Sequence, residues 1–243
     1  MFRIPKDPKE IFPEIINEYK KLFNDDLISI ILYGSATGKD YQPGKSDINF
    51  MIILSEEGIE QLEKGFKAID RWRKRKVAVP LFLTEAYVET SLDVFPIEYL
   101  NFQRNHTLVY GKDVLQDITF GPEHIRLQCE REVKGKLLLL REAFLETYGK
   151  GNALKGVISQ SIPAFIAIFE ALLYLAKKET PHDKRGVVGR ACEVFKLDED
   201  VFIKLLDVKE QKIKQDNTEL RTLFKSYLKE VRRLSKTVNA LGG

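Results

Sequence analysis

The strongest constraint in this sequence is a change of pattern near residue 120. Before that point, short β-branched apolar runs alternate with segments of helical spacing. After Gly121-Pro122, the apolar residues recur only at the three- and four-residue intervals that are typical of helices. We therefore predict an α+β domain at residues 1–120 and an all-α helical bundle at 121–243.

Within the first region, the pattern predicts a short sheet flanked by helices. Proline cannot donate a ladder hydrogen bond, so a strand that contains Pro80 should start near it or lie at a sheet edge. The predicted helices span 11–23 and 57–74, and the predicted strands span 27–33, 47–54, 77–84 and 95–102.

The second region predicts five helices, two of them with clear N-terminal caps. Asp198 and Asn217 are the expected N-caps of the last two helices. The helix at 154–178 is apolar nearly all round and suits the centre of a bundle, either within the chain or against a partner. Its most apolar stretch contains Glu170 and is shorter than a membrane span requires, so we expect no membrane association. The predicted helices span 123–148, 154–178, 184–195, 199–213 and 218–241.

Composition narrows the class of protein further. The 39 basic and 36 acidic residues give a net charge of +3, which does not favour a polyanion-binding protein. Cys129 and Cys192 are far apart in sequence and do not have metal-ligand spacing. Two such cysteines do not indicate a disulfide framework, which favours a reducing cytoplasm. The three histidines are scattered, so neither a zinc site nor a Ser-His-Asp triad is indicated.

The residues with chemical content lie between the first two predicted strands. Gly34 would let the backbone approach a ligand closely, and the hydroxyl of Ser35 can donate to a phosphate oxygen. Asp47 and Asn49 are two apart on a predicted strand, so their side chains should share a face and could bind Mg²⁺. Ser46 directly precedes Asp47. Taken alone, Gly34-Ser35 and Ser46-Asp47 are also common dipeptides of turns and caps.

Positive charge lies close to this pattern. Lys39 and Lys45 flank the loop and could screen a triphosphate, or could simply keep the loop soluble. The densest basic run is 71–76, which contains Trp72. We favour a solvated helix end for this run over a nucleic-acid contact.

The segments LYGSATG (32–38) and SDINFMIIL (46–54) resemble the signature of the DNA polymerase β type nucleotidyltransferases. The likeness is greatest to the minimal and the kanamycin nucleotidyltransferase-like members, and a helical bundle after the catalytic domain is typical of the kanamycin nucleotidyltransferase-like group. It covers about residues 8–115 and ends near LVYG (108–111). The resemblance implies a nucleotidyltransferase fold.

The resemblance also implies a reaction and a set of site residues. Gly34 and Ser35, helped by Lys45 and Ser46, would hold the phosphates of a nucleoside triphosphate. Asp47, the residue at 49 and a third carboxylate on a later strand would hold Mg²⁺ for attack by an acceptor hydroxyl. Glu98 in FPIEYLNF (95–102) is the matching acid, with Asp93 as its rival.

The sequence departs from the family at position 49, where Asn49 replaces an aspartate. Asparagine keeps a carbonyl oxygen but has no negative charge, so we expect one Mg²⁺ ion instead of two. Asp40 in the intervening loop could fold back toward the site.

Two functions follow from this departure. The leading prediction is transfer of a nucleoside monophosphate from Mg-NTP to a hydroxyl of an unknown small molecule or protein. The alternative is a catalytically inactive nucleotide-binding or interaction module. A nucleic-acid partner has the weakest support, and a homodimer stays open.

Overall fold

The structure is a computed structural model that describes residues 3–38, 41–213 and 215–241. Lys39 and Asp40, two of the residues considered above, lie outside this described part. The chain forms two compact units, one of Met1–Val94 with Glu98–Thr119 and one of Phe95–Ile97 with Phe120–Gly243. The domain boundary at residue 120 remains a prediction.

The first unit contains a small sheet with short helices. It holds all four strands of the sheet and most of α5. Its elements are α1 (Phe12–Phe23), β1 (Leu27–Tyr33), β2 (Asn49–Leu54), α2 (Glu56–Ile59), α3 (Phe66–Arg73), β3 (Leu81–Leu83), α4 (Glu85–Thr90), α5 (Pro96–Arg104) and β4 (His106–Gly111). Four short 3-10 helices add to these, at Pro8–Ile11, Asn24–Asp26, Gly34–Thr37 and Leu62–Gly65.

The sheet is mixed, with the strand order β3-β2-β1-β4. The central strand β1 pairs antiparallel with both β2 and β4, whereas β2 pairs parallel with β3. The strand β3 starts directly after Pro80 at the edge of the sheet, as the proline predicted. The predicted fold class, a short mixed sheet with helices and a helical region, is confirmed.

One face of the sheet forms the core of this unit. Alternate residues of β1 and β2 point to that face, because successive side chains of a strand point to opposite faces. They pack against the apolar stripe of α1 and against Trp72 of α3. The buried residues of this core include Ile11, Ile15, Tyr19, Phe23, Ile30, Leu32, Phe50, Ile52 and Leu54.

Two predicted elements of this unit are wrong. The strand expected at 95–102 is helix α5, and the fourth strand is instead His106–Gly111. Pro96 is the first residue of α5. Proline is tolerated there because the N–H of a first helical residue makes no hydrogen bond within the helix. The single helix expected at 57–74 is α2, a 3-10 turn and α3, with Ser55 as the N-cap of α2 and Gly65 as the N-cap of α3.

The second unit is the helical bundle. Its core helix α7 has twelve buried residues, as the all-round apolar pattern predicted. The N-cap of α10 is Asp216, not Asn217, because Asp216 and Glu219 form a capping box. Its helices are α6 (Pro122–Glu146), α7 (Gly151–Leu175), α8 (Lys184–Phe195), α9 (Glu199–Lys209) and α10 (Asn217–Ala240).

Helix α7 is also long and apolar enough to cross a membrane by length and composition alone. Over half of its most apolar window, 56%, is buried inside the chain. A core helix of a soluble protein meets the same criterion, so this finding is weak evidence for a membrane span.

Candidate functional site

The Gly-Ser segment turns away from the end of β1 beside the start of β2. Tyr33 pairs with Asn49 across the two strands, so Gly34 follows immediately beside that asparagine. Gly34 has φ +78°, a region that favours glycine, and its N–H donates to the Asn105 carbonyl at 3.0 Å. A Cβ atom at Gly34 would lie 3.6 Å from Asn49 Nδ2, so backbone and amide are direct neighbours.

Ser35 begins the outward part of this loop. It is exposed, whereas the next residue, Ala36, is buried and anchors the 3-10 turn. The hydroxyl of Thr37 donates to the Gly34 carbonyl at 2.8 Å and fixes the turn from its other end. The loop therefore presents Ser35 to solvent from a closed backbone turn.

Ser46, Asp47 and Asn49 lie at the entry to β2. Ser46 Oγ accepts a hydrogen bond from Gln42 N at 3.1 Å and closes the preceding turn. Ile48 is fully buried between the exposed Asp47 and the half-buried Asn49, which is the alternation expected of an extended chain. Asp47 and Asn49 therefore leave the chain on the side opposite Ile48.

The neighbouring segment on the β3 side of the sheet carries no acid. Ile48 N donates to Lys76 O at 2.8 Å, and Ala78 N donates to Ile48 O at 3.0 Å. These hydrogen bonds place the segment 77–80, Val-Ala-Val-Pro, alongside the entry to β2. A carboxylate next to Asn49 is thus supplied by Asp47 but not by this segment.

Glu98 lies apart from these strand residues in the element order. It is exposed on α5, a helix, and not on a strand of the sheet. Its alternative, Asp93, is exposed just before α5. Among the described residues, no group of three or more His, Cys, Asp or Glu side chains is arranged to hold a metal ion.

On the β4 side, His106 completes a polar row that the sequence reasoning missed. Cross-strand pairing aligns Asn49, Tyr33 and His106, and cross-strand partners share a face of the sheet. His106 Nε2 lies 3.0 Å from a carboxylate oxygen of Asp113, and Nδ1 lies 2.9 Å from the Gln103 carbonyl. Both ring nitrogens are engaged, so this side chain ties β4 to the residues before and after it.

Tyr33 is the middle member of that row. Its ring meets Phe102 of α5 edge-on, with the ring centroids 4.9 Å apart. Burial raises the pKa of the Tyr33 phenol above its ordinary value of 10.0, so it stays neutral. Its position could not be read from the sequence, because the strand register that aligns it with His106 was unknown.

Two arginines of the basic run at 71–76 form ion pairs within the chain. Arg71 pairs with Glu18 of α1, and Arg75 pairs with Glu14 of α1. Arg75 also stacks over the ring of Trp72 at 5.0 Å. These residues line a groove of about 480 Å³ between α1 and α3, which agrees with the predicted helix end.

The same architecture occurs in spectinomycin adenyltransferase AAD(9) from Enterococcus faecialis, whose crystal structure holds ATP and spectinomycin. The likeness has a TM-score of 0.53 at 12% sequence identity and covers 92% of this chain and 99% of the other. This chain therefore has a nucleotidyltransferase fold. No family model matches the chain, and no curated protein matches it in sequence.

The match confirms the resemblance seen in LYGSATG and SDINFMIIL at the level of the fold. In this nucleotidyltransferase fold, the Gly-Ser loop and the start of β2 are adjacent, as described above. The roles of the individual site residues remain predictions.

Proposed function

We propose that this protein binds a nucleoside triphosphate with one Mg²⁺ at the Gly34–Ser35 loop and transfers the nucleoside monophosphate to a hydroxyl of a small molecule or protein. Pyrophosphate is the leaving group. The observation that carries the proposal is the contact between Gly34 and Asn49, beside the exposed Asp47, in a nucleotidyltransferase fold. The cytoplasm is the proposed location, in keeping with two free, buried cysteines.

The loop residues would bind the phosphates. Gly34 lets the backbone turn at positive φ without a side chain in the way, and Ser35 offers an exposed hydroxyl. Ser46 Oγ already accepts from Gln42 N, so its own proton remains to be donated to a phosphate oxygen. The exposed Lys45 would add positive charge without fixed geometry.

The donor set suits one magnesium ion carried in with the nucleotide. Mg²⁺ is often held by one or two carboxylates together with substrate phosphates, and Asp47 supplies one such carboxylate. Asn49 could add its amide oxygen, and Glu98 remains a proposed further ligand. When bound, the ion would offset the negative charge of the phosphates. The chain's own residues would orient the triphosphate so that the acceptor hydroxyl can reach the α-phosphorus.

A second candidate function is nucleotide binding without turnover. It is favoured by two features: Asn49 has no charge, and the segment 77–80 beside it is apolar. The entry to β2 and the segment 77–80 therefore contain no carboxylate other than Asp47 that could bind a second ion. Such a protein would use the bound nucleotide to control an interaction.

Nucleotide binding and turnover are measured separately. Equilibrium dialysis with labelled ATP, GTP, CTP and UTP, with Mg²⁺ or with EDTA, gives the affinity, and pyrophosphate release gives turnover. We expect Asp47→Ala to weaken Mg²⁺-dependent binding about tenfold or more, since a carboxylate ligand is lost. Asp70→Ala, at an exposed site on α3, is the matched control.

The outcomes separate the two candidates. Turnover by the natural chain supports transfer, and turnover only in Asn49→Asp supports the inactive module. Absence of nucleotide binding with and without Mg²⁺ would overturn both. Glu98→Gln compared with Asp93→Asn assigns the further ligand, because only the true ligand should weaken Mg²⁺-dependent binding.

A further inference from the structure

Helix α6 has apolar side chains on two opposite faces. One face is buried in the bundle and includes Cys129, Val133 and Leu137. On the other face, Leu127 is 60% exposed, Leu138 57% and Leu145 72%. Large exposed apolar residues aligned on one helix face are typical of an interaction surface.

These exposed residues fit a coiled-coil seam. Starting at Leu127, steps of four and three residues alternate up to Leu145 and pass through all three exposed leucines. Between them the same seam carries only basic residues. The full set, called here the leucine seam, is Leu127, Arg131, Lys134, Leu138, Arg141 and Leu145.

Helix α10 runs antiparallel beside this seam. Lys134 Nζ lies 3.3 Å from Asn239 Oδ1 near one end, and Arg221 Nε donates to Gly149 O at 3.2 Å near the other. The seam residue Lys134 is therefore next to α10, and the surface between the leucine seam and α10 is called here the groove. Two neighbouring helices with an apolar groove can accept a third helix.

The α10 side of the groove is strongly basic. Of its two acids, Glu219 is held in the N-terminal capping box and Glu230 is only 4% exposed. All the Lys and Arg residues of the helix are on its exposed side, so the α10 side of the groove is positively charged. These residues are Arg221, Lys225, Lys229, Arg232, Arg233 and Lys236.

We propose that the groove between α6 and α10 docks an acidic amphipathic helix of a partner protein. Leu or Ile side chains of that helix would pack on the leucine seam, and its Glu or Asp residues would face the basic side chains of α10. Charge complementarity of this kind gives an interface its partner choice and its association rate. The inference rests on the bundle alone and is independent of nucleotide binding.

Two other occupants fit the surface less well. A symmetric pair of copies joined through this surface would bring the basic side chains of both copies into one interface, which is repulsive. A nucleic acid would satisfy the basic residues of α10, but its phosphate backbone offers no apolar surface for three leucines. A protein helix satisfies both features.

The test uses the full chain and a synthetic probe. The probe is a fluorescent helical peptide with Leu at heptad positions a and d and Glu at e and g, kept dilute enough to remain monomeric. Binding is followed by fluorescence anisotropy, beside a peptide with Lys in place of Glu and a single-stranded RNA. We expect binding of the Glu peptide that weakens as salt is raised, and none of the Lys peptide.

Matched variants decide which features bind the probe. Leu138→Asp with Leu145→Asp should weaken binding about tenfold or more, because two of the three seam leucines are lost. Leu139→Asp is the control, since Leu139 is 63% exposed but lies off the seam. Lys225→Glu with Arg232→Glu should weaken binding similarly, whereas Lys178→Glu, on an exposed turn after α7, should not.

Each contrary result overturns the proposal. Equal loss in Leu139→Asp would mean that the seam is not the contact. RNA binding that needs Lys225 and Arg232 but not the leucines would identify a nucleic-acid surface instead. A dimer in sedimentation that dissociates in the Leu138→Asp, Leu145→Asp variant would identify a second copy as the occupant.

Discussion

Lys209 donates a hydrogen bond from its ammonium group to the Ser159 carbonyl at 3.1 Å. That carbonyl lies four residues before Pro163, inside α7. Proline has no N–H, so it cannot serve as the helical donor to Ser159. A side chain from α9 thus supplies the bond that the proline withholds, and the core helix passes through Pro163 with its backbone satisfied.

We expect Lys209→Met to lower the free energy of unfolding by about 1–2 kcal/mol, because the Ser159 carbonyl loses its donor. In a Pro163→Ala background the alanine N–H bonds Ser159, so the same change should cost less. Urea unfolding of the four proteins in this cycle measures the coupling. Lys204→Met, on the same helix, is the control, and strict additivity would contradict the interpretation.

The same lysine predicts a pH dependence. Burial, followed by the nearby Lys184, lowers the pKa of Lys209 below its ordinary value of 10.5. Between the lowered pKa and 10.5 the unfolded chain binds more protons, so stability should rise with pH through that window. The difference in unfolding free energy between the natural chain and Lys209→Met should grow as pH rises toward 10.5. A constant difference would show that the amine is not desolvated.

Two glycines with positive φ should respond differently to alanine. At Gly111 a Cβ would lie 1.9 Å from the Ile28 carbonyl oxygen, so Gly111→Ala must separate β4 from β1. We expect a loss of more than about 3 kcal/mol in stability. At Gly34 a Cβ would lie at an ordinary contact distance, 3.6 Å, from Asn49 Nδ2 and only the backbone angle is strained, so Gly34→Ala should cost about 1 kcal/mol. Thermal unfolding of both variants checks the order, and equal losses would contradict it.

Sequence periodicity located most elements but failed for 95–102. The segment FPIEYLNF alternates as a strand would, yet Ile97 and Leu100 are also three apart and both are buried in helix α5. A short apolar run is compatible with both the helical and the strand period. The strand is identified as His106–Gly111 only by its pairing with β1.

The candidate site was predictable where it depends on neighbours in sequence. Gly34 and Ser35 follow a strand and Asp47 and Asn49 start the next, so a hairpin-like pairing of the two strands brings them together. His106 could not be assigned to the row, because its place beside Tyr33 depends on long-range register. The apolar character of 77–80 beside Asn49 is likewise visible only once β3 is known to pair with β2.

Both cysteines are predicted to be unreactive in the folded chain. Burial, with a smaller effect of nearby carboxylates, raises the pKa of Cys129 and of Cys192 to about 12. A thiol reacts as its thiolate, so neither should be alkylated at neutral pH until the chain opens. Iodoacetamide labelling followed by mass spectrometry should show no adduct in buffer and two adducts in denaturant. Thr222→Cys, at an exposed position on α10, should label at once and serves as the control. Rapid labelling of Cys129 or Cys192 in the folded protein would show that its part of the bundle opens without global unfolding.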